Sequence, residues 1–309
     1  MCTLIVLHRC VADRPLVVAA NRDEFLARPA EDMAIRQSAT GPILSPLDLE
    51  AGGTWVGLSQ RGVFAGLTNL RPLPDSAIPE KPAADLQSRG DVVMMALEAE
   101  SAADAVRAIE GLEEAAYNPF QLLVADGRDA FLVVYRDRPR VVALEPGPHI
   151  VGNVEDERIA AALGTTALLE HAEERDREGV RMSEAYPGFE GLEDVVDSCG
   201  LTAPQEPRAL KLTRIRARVE KMITESTFDL FEGLARICRE HVGSEGIDSP
   251  FEATCVHVAD RYGTRSSLML ELSEDEGSSR LWTTDGPPCE RPFVNRSVLL
   301  KDLGVRLGG

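Results

Sequence analysis

Cys2 is the first residue whose chemistry stands out. A small residue after an initiator methionine favours removal of Met1. Removal would leave Cys2 with a free α-amine beside its thiol, a nucleophile and a base in one residue. The α-amine has a reference pKa of about 7.7–8.0 and the thiol about 8.5, so proton exchange between them costs little at neutral pH. A nucleophile paired with an N-terminal amine is an established mode of activation. The same cysteine would also suit the second position of a buried strand. The next cluster is Asn21-Arg22-Asp23-Glu24. Four polar residues after an apolar run read first as a turn carrying a salt bridge. If the run pairs back on the N-terminal segment, however, the cluster returns to Cys2. A carboxylate there could hold the α-ammonium, and a guanidinium could stabilise the thiolate.

Three further residues have two readings each. Asn69 closes Gly66-Leu67-Thr68-Asn69. It serves either turn chemistry or as an amide donor to a developing oxyanion. Asn153 precedes an acidic helical stretch, where it could cap the helix, supply a second such donor, or both. Arg265, within Tyr262-Gly263-Thr264-Arg265-Ser266-Ser267, is either a surface charge or a buried cation that lowers a thiol pKa or binds a carboxylate.

The elements that must position these residues follow from apolar patterning. Thr3 to Leu7 and Leu16 to Ala20 read as a hairpin turning at Ala12-Asp13-Arg14-Pro15. Thr54 to Ser59 and Val63 to Asn69 read as a second, turning at Gln60-Arg61-Gly62. Pro72, Pro74, Pro79 and Pro82 mark a loop. Helical spacing covers Leu86 to Ala99 and Ala102 to Leu112, with Ser101 as an N-cap. Strand character returns at Phe120 to Ala125, Ala130 to Tyr135, Arg140 to Leu144 and His149 to Asn153. Glu155 to Glu174, Leu210 to Glu225 and Phe228 to Val242 read as helices, the first with an acidic opening turn. Arg175 to Pro207 is mixed. Ala253 to Val258, Ser266 to Leu272 and Arg280 to Thr284 close the chain as strands. The order lacks regular βαβ alternation, and neither dinucleotide nor P-loop glycine patterns occur. Two antiparallel sheets covered by helices, in one layered α+β domain over residues 1–309, fit best.

Composition narrows the function classes. The chain has 309 residues, 44% hydrophobic and 27% charged, as expected of a globular protein. Lys plus Arg is 33 against 51 Asp plus Glu, a net charge of −18. That balance argues against non-specific nucleic-acid binding and against docking on anionic membranes. Only Lys81, Lys211, Lys221 and Lys301 are lysines, a pattern that suits a salty cytoplasm as well as GC-rich coding. Apolar runs near the start, Leu4 to Leu7 and Pro15 to Ala20, are far short of a membrane span, and Arg9 interrupts too early for a signal peptide. A cytoplasmic location is expected. Cys2, Cys10, Cys199, Cys238, Cys255 and Cys289 form no C-x-x-C pair and no zinc-ligand spacing. Most read as small buried hydrophobes, and no metal site is expected. His8, His149, His171, His241 and His257 carry no haem attachment motif, so ordinary roles are expected for all five.

In order along the chain, Met-Cys-Thr-Leu, Ala-Asn-Arg-Asp-Glu, Gly-Gly-Thr-Trp-Val-Gly, Gly-Leu-Thr-Asn-Leu-Arg, Ser88-Arg89-Gly90 and Tyr-Gly-Thr-Arg-Ser-Ser resemble the NRDE family, whose animal members are called transport and Golgi organisation proteins. The resemblance implies an N-terminal nucleophile hydrolase fold, a four-layer αββα sandwich. It also implies a distant similarity to choloylglycine hydrolases and penicillin V acylases, which cleave non-peptide amides with an N-terminal cysteine. Against their Arg-Asn-x-Asp pattern, Asp23 matches in register, while Ala20 takes the place of the arginine and Arg22 follows two positions later. Their Gly-Leu-Asn stretch resembles Gly66-Leu67-Thr68-Asn69 shifted by one residue, which implies Asn69, or else Thr68, as an oxyanion contact; Asn153 resembles their later oxyanion asparagine, and Arg265 is a candidate for their late arginine. The catalytic set so implied is Cys2, Arg22, Asp23, Asn69, Asn153 and Arg265, acting on a small-molecule amide with no required cofactor. Members have also been linked to haem trafficking and to lipid or acyl-CoA homeostasis. The resemblance therefore leaves a second reading: a carrier of haem or lipid with no turnover, in which Cys2 could ligate haem iron. Under either reading no stable membrane insertion is expected, and homo-oligomers are allowed.

Overall fold

The computed structural model describes residues 2–70, 86–164, 205–225, 229–275 and 277–307. The chain opens with β1 (Cys2–Val11) and β2 (Arg14–Phe25), followed by β3 (Ala30–Ser38), β4 (Gly41–Asp48), β5 (Val56–Ser59) and β6 (Phe64–Asn69). Helices α1 (Arg89–Leu97) and α2 (Ala102–Ile109) come next, then β7 (Phe120–Ala125), β8 (Ala130–Tyr135), β9 (Pro139–Ala143) and β10 (Gly147–Val151). Helices α3 (Glu157–Leu163), α4 (Gln205–Glu225) and α5 (Leu230–Cys238) precede β11 (His257–Val258), β12 (Tyr262–Leu272), β13 (Arg280–Asp285) and β14 (Val294–Asn295). Helix α6 (Val298–Leu303) is the last described element. No described helix is long and apolar enough to cross a membrane.

The strands form two antiparallel sheets of seven. One runs β10-β1-β2-β12-β13-β14, with β11 on the edge of β12; the other is a meander from β3 to β9. Strand alternation assigns each face a partner. Leu4 and Val6 of β1 point between the sheets, among Leu44, Val56, Leu58 and Phe64. Ile5 and Leu7 point the other way, among Leu212, Ile215 and Val219 of α4 and Leu234 and Ile237 of α5. In the second sheet, Ala65, Leu122, Val124 and Val133 pack outward on Val92, Val93, Ala105 and Ile109 of α1 and α2. The layers are therefore helix, sheet, sheet, helix. Covering both faces explains why Leu4 to Leu7 reads as unbroken apolar sequence. Burying each such side chain stabilises by about 1.5–3 kcal/mol.

Several elements stand where the patterning puts them. Both hairpins form, and Gly62 turns the second with a φ of 82°. Ser101 caps α2 through the Asp104 amide at 3.1 Å. Other expectations need correcting. Asn21 to Glu24 is no turn, because β2 runs on through it to Phe25. Strands β3 and β4 lie where no element was expected. Asn153 does not cap α3; Asp156 does, accepting from the Arg158 amide at 2.9 Å. That helix stops at Gly164, whose φ of 68° suits a glycine terminator. The expected helix beyond residue 164, the mixed segment up to 204, the proline loop at 72–82, Met1, His171, Cys199 and Phe228 lie outside the described residues.

Two of the glycine motifs meet. A Cβ on Gly53 would stand 2.9 Å from the Cα and carbonyl carbon of Gly90. The Gly-Gly-Thr-Trp loop thus lies backbone-to-backbone on the start of α1. Gly53→Ala is expected to destabilise the fold by about 1–3 kcal/mol, read as a lower urea midpoint with an unchanged slope. An unchanged midpoint would show that the contact relaxes freely.

Candidate active site

The register of the first sheet assembles the site. In the β1–β2 ladder Cys2 stands opposite Arg22 and Thr3 opposite Asn21. On the other flank of β2, Ser267 faces Asn21, Ser266 faces Arg22 and Thr264 faces Asp23, so Arg265 is an extra residue at a bulge. Directly opposed residues share a face, which puts Cys2 and Arg22 on the side between the sheets. Asn21 and Asp23 point to the helical side. There the Asn21 amide donates to the carbonyls of Cys238 at 2.9 Å and Thr254 at 2.8 Å. Partners of this kind let a polar run stay inside a buried strand.

Asp23 is 1% exposed. It accepts from the Thr264 hydroxyl at 2.6 Å, and its backbone carbonyl accepts from the Tyr262 hydroxyl at 3.0 Å. Its other carboxylate oxygen lies 4.0 Å from Nζ of Lys211 on α4, a residue 6% exposed. Burial pushes the Asp23 carboxyl up and the Lys211 amine down, and each opposes the shift of the other. Lys211 was noted in the sequence only as one of four lysines. Its position on a helix face that otherwise presents Leu212, Ile215 and Val219 to the sheet was the available signal.

Arg22 is buried, its guanidinium 3.9 Å from the centre of the Trp55 ring. Asp48 lies 3.7 Å from it and Glu24 4.0 Å. Cys2 is half-buried as a residue with its thiol turned inward, and burial pushes the thiol pKa up; Asp23 acts in the same direction and Arg22 against it. Cys2 and Arg22 both line an open cleft with a volume of about 110 Å³. Leu4, Met33, Trp55, Leu67 and Leu268 contribute to its apolar lining, and Cys2 is the one cysteine among the described residues that line it. Arg265 also lines the cleft, but its guanidinium is turned to the β2–β3 connection. It donates to the carbonyls of Phe25 at 3.5 Å, Arg28 at 3.0 Å and Leu26.

The two asparagines stand together, outside that lining. The Asn153 amide donates to the Asn69 carbonyl at 2.7 Å, and the Thr68 hydroxyl donates to the Gly152 carbonyl at 2.7 Å. The ends of β6 and β10 are thereby tied across the two sheets. Asn153 lines a second, smaller pocket with Lys211, Arg208 and Phe251. Lys211 thus bridges from that pocket to Asp23.

Residues 1–281 match the family profile described as Transport and Golgi organisation 2. The chain belongs to that family. Within the Transport and Golgi organisation 2 family it is 28% identical over 271 residues to the homolog from Bos taurus, covering 84% of this chain and 83% of that protein. It is 33% identical over 148 residues to the homolog from Homo sapiens, which covers 45% of this chain and 50% of that protein. Among solved structures, a C2A mutant of conjugated bile acid hydrolase from Clostridium perfringens is similar with a TM-score of 0.51 at 12% identity, over 96% of this chain and 93% of that one. The likeness shows the fold: this member of the family shares the layered α+β sandwich of that hydrolase.

Proposed function

We propose that this protein is a cytoplasmic amidohydrolase that cleaves a linear, non-peptide C–N bond through an acyl-enzyme on Cys2. The observation that carries the reading is the placement of Cys2. It begins β1, it lines the cleft, and it faces Arg22 across the ladder. A buried thiol with a raised pKa is a poor nucleophile by itself, so the proposal needs a base at the same residue. Removal of Met1 would supply it as the Cys2 α-amine.

In the proposed cycle the amine takes the thiol proton and the thiolate attacks the substrate carbonyl. Collapse of the tetrahedral intermediate breaks the C–N bond, with the ammonium giving its proton to the leaving nitrogen. The amine then deprotonates a water that attacks the thioester, releasing the acid and restoring the thiol. Asp23, held by Thr264, orients the ammonium. Arg22 favours the thiolate. Arg265 acts through the backbone of the β2–β3 connection or at a substrate carboxylate. Asn69 and Asn153, tied to each other by the Asn153 amide, are assigned to the oxyanion; neither lines the cleft, so the assignment requires the pair to reach Cys2 when substrate is bound. The apolar lining suits an acyl chain.

The deciding experiment is the intact mass of the protein before and after brief exposure to limiting iodoacetamide. Loss of Met1 with one fast alkylation at Cys2 is expected. If Met1 is retained, Cys2 alkylation is expected to be slow at neutral pH and to rise only as pH passes above the ordinary thiol range. A processed chain whose Cys2 reacts no faster than Cys10 would remove the mechanism and favour the carrier of haem or lipid.

A further inference from the structure

Away from the cleft, three soft donors from distant parts of the chain converge. The ligand atoms of Cys255, His257 and Cys289 all lie within 4.8 Å of one another. Cys255 Sγ is 3.4 Å from Cys289 Sγ and 3.6 Å from His257 Nε2, and His257 Nε2 is 3.1 Å from Cys289 Sγ. A tetrahedral ion with Zn–S of about 2.3 Å and Zn–N of about 2.0–2.1 Å holds its ligand atoms roughly 3.5–3.8 Å apart. The triangle already has that form and needs to open by roughly half an ångström or less. No linear spacing motif announces it, because the cysteines belong to separate segments. Cys255 leads into β11, His257 is its first residue, and Cys289 sits in the loop after β13.

We propose that Cys255, His257 and Cys289 bind one thiophilic d10 metal ion, zinc being the divalent example, with solvent in the fourth position. Two thiolates and an imidazole select such an ion over magnesium or calcium. Burial sets the orientation: Cys255 is buried, Cys289 half-buried and His257 exposed, so the open position faces solvent.

The hydrogen bonds around the triangle give the ion a bracing role. The Cys255 amide donates to the Glu240 carbonyl at 2.7 Å. The Val256 amide donates at 2.8 Å to the Thr264 hydroxyl, which in turn donates to Asp23. The Thr254 carbonyl receives the Asn21 amide. From the other segment, the Gly286 amide donates to the Arg265 carbonyl at 2.9 Å. An ion joining Cys255 and His257 to Cys289 would therefore clip together two loops that grip the bulge at Arg265 and the surroundings of Asp23. None of its three ligands lines the cleft, so the clip is independent of the hydrolase reading.

The test uses the full chain, purified under reductant, incubated with Zn²⁺, gel-filtered and analysed for metal, with a parallel Co²⁺ titration. Wild type and Cys10→Ser are expected to retain one ion per chain and to show a thiolate-to-cobalt charge-transfer band. His257→Ala, at an exposed position that folding tolerates, and Cys289→Ser are expected to lose both. Chelation is expected to lower the melting temperature of wild type and leave that of His257→Ala unchanged. Metal retained equally in both variants, or none retained by wild type, would overturn the proposal. So would a peptide map joining Cys255 to Cys289 in a chain that takes up no metal after reduction.

Discussion

Cys2→Ala is expected to remove amide hydrolysis altogether, a loss of about 10⁴–10⁶-fold in kcat. The residue is half-buried at the start of β1, and the apolar residues that hold the strand begin further along it. The variant should therefore fold, with circular dichroism and melting close to wild type. The measurement is single-turnover reaction with a panel of N-acyl chromogenic amides, followed by intact mass. Wild type should carry a transient acyl adduct on Cys2, and the variant none. A variant that hydrolyses the same amide at the wild-type rate would place the chemistry elsewhere. Binding without an adduct in either protein would favour the carrier.

Asp23→Ala is expected to destabilise the protein by about 3–5 kcal/mol, because it leaves the Lys211 amine buried without its carboxylate. The double variant Asp23→Asn with Lys211→Met removes both charges at nearly constant volume. It should recover most of that loss and can exceed wild type. Equilibrium urea unfolding of wild type, Asp23→Asn, Lys211→Met and the double variant, the four corners of one cycle, measures the coupling. The pH dependence has a definite sign. Asp23 has its pKa raised in the folded state, so its contribution is fully present below the ordinary carboxylate value and is lost as pH rises through the folded value. Lys211, depressed, contributes above the ordinary lysine value and loses that as pH falls through its folded value. Between these limits wild type should lose ground to the double variant. A single Asp23→Ala variant as stable as wild type would show that the pair contributes nothing to holding the fold.

Much of this architecture was legible in sequence, for physical reasons that differ by element. The strands Phe120 to Ala125 and Ala130 to Tyr135 were read to the residue, since they are apolar but for Gln121 and bounded by turn residues. Strand β3 was not. It carries Glu31, Asp32 and Arg36, and most of its residues are only half-buried. Its pairing with β4 is a tertiary fact that the patterning did not reveal. The end of β2 misled in the opposite sense. Asn21, Arg22 and Asp23 look like solvent-facing residues, yet the Cys238 and Thr254 carbonyls, Trp55 and Thr264 await them. Those partners come from more than two hundred positions away or, for Trp55, from the loop before β5, beyond the reach of any local rule. The same holds for Lys211 and for the triangle of Cys255, His257 and Cys289. The motifs of the NRDE resemblance pointed to the candidate site, while the Lys211 amine beside Asp23 became visible only with the fold.

The lining of the cleft is mechanically unequal. Its floor is laid on β1, β2 and β12, three adjacent strands in the interior of a sheet. One wall is Ala30, Glu31, Asp32 and Met33 of β3, the outermost strand of the other sheet, and the β3–β4 ladder is broken between Glu31 and Ala34. Edge strands at a bulge have fewer hydrogen bonds to lose and open locally at low free energy. Amide protons near Asp32 should therefore exchange with solvent well before those of β1. A guest larger than the resting cleft has one side on which to make room: it can push β3 outward while the thiol and its neighbours stay in place.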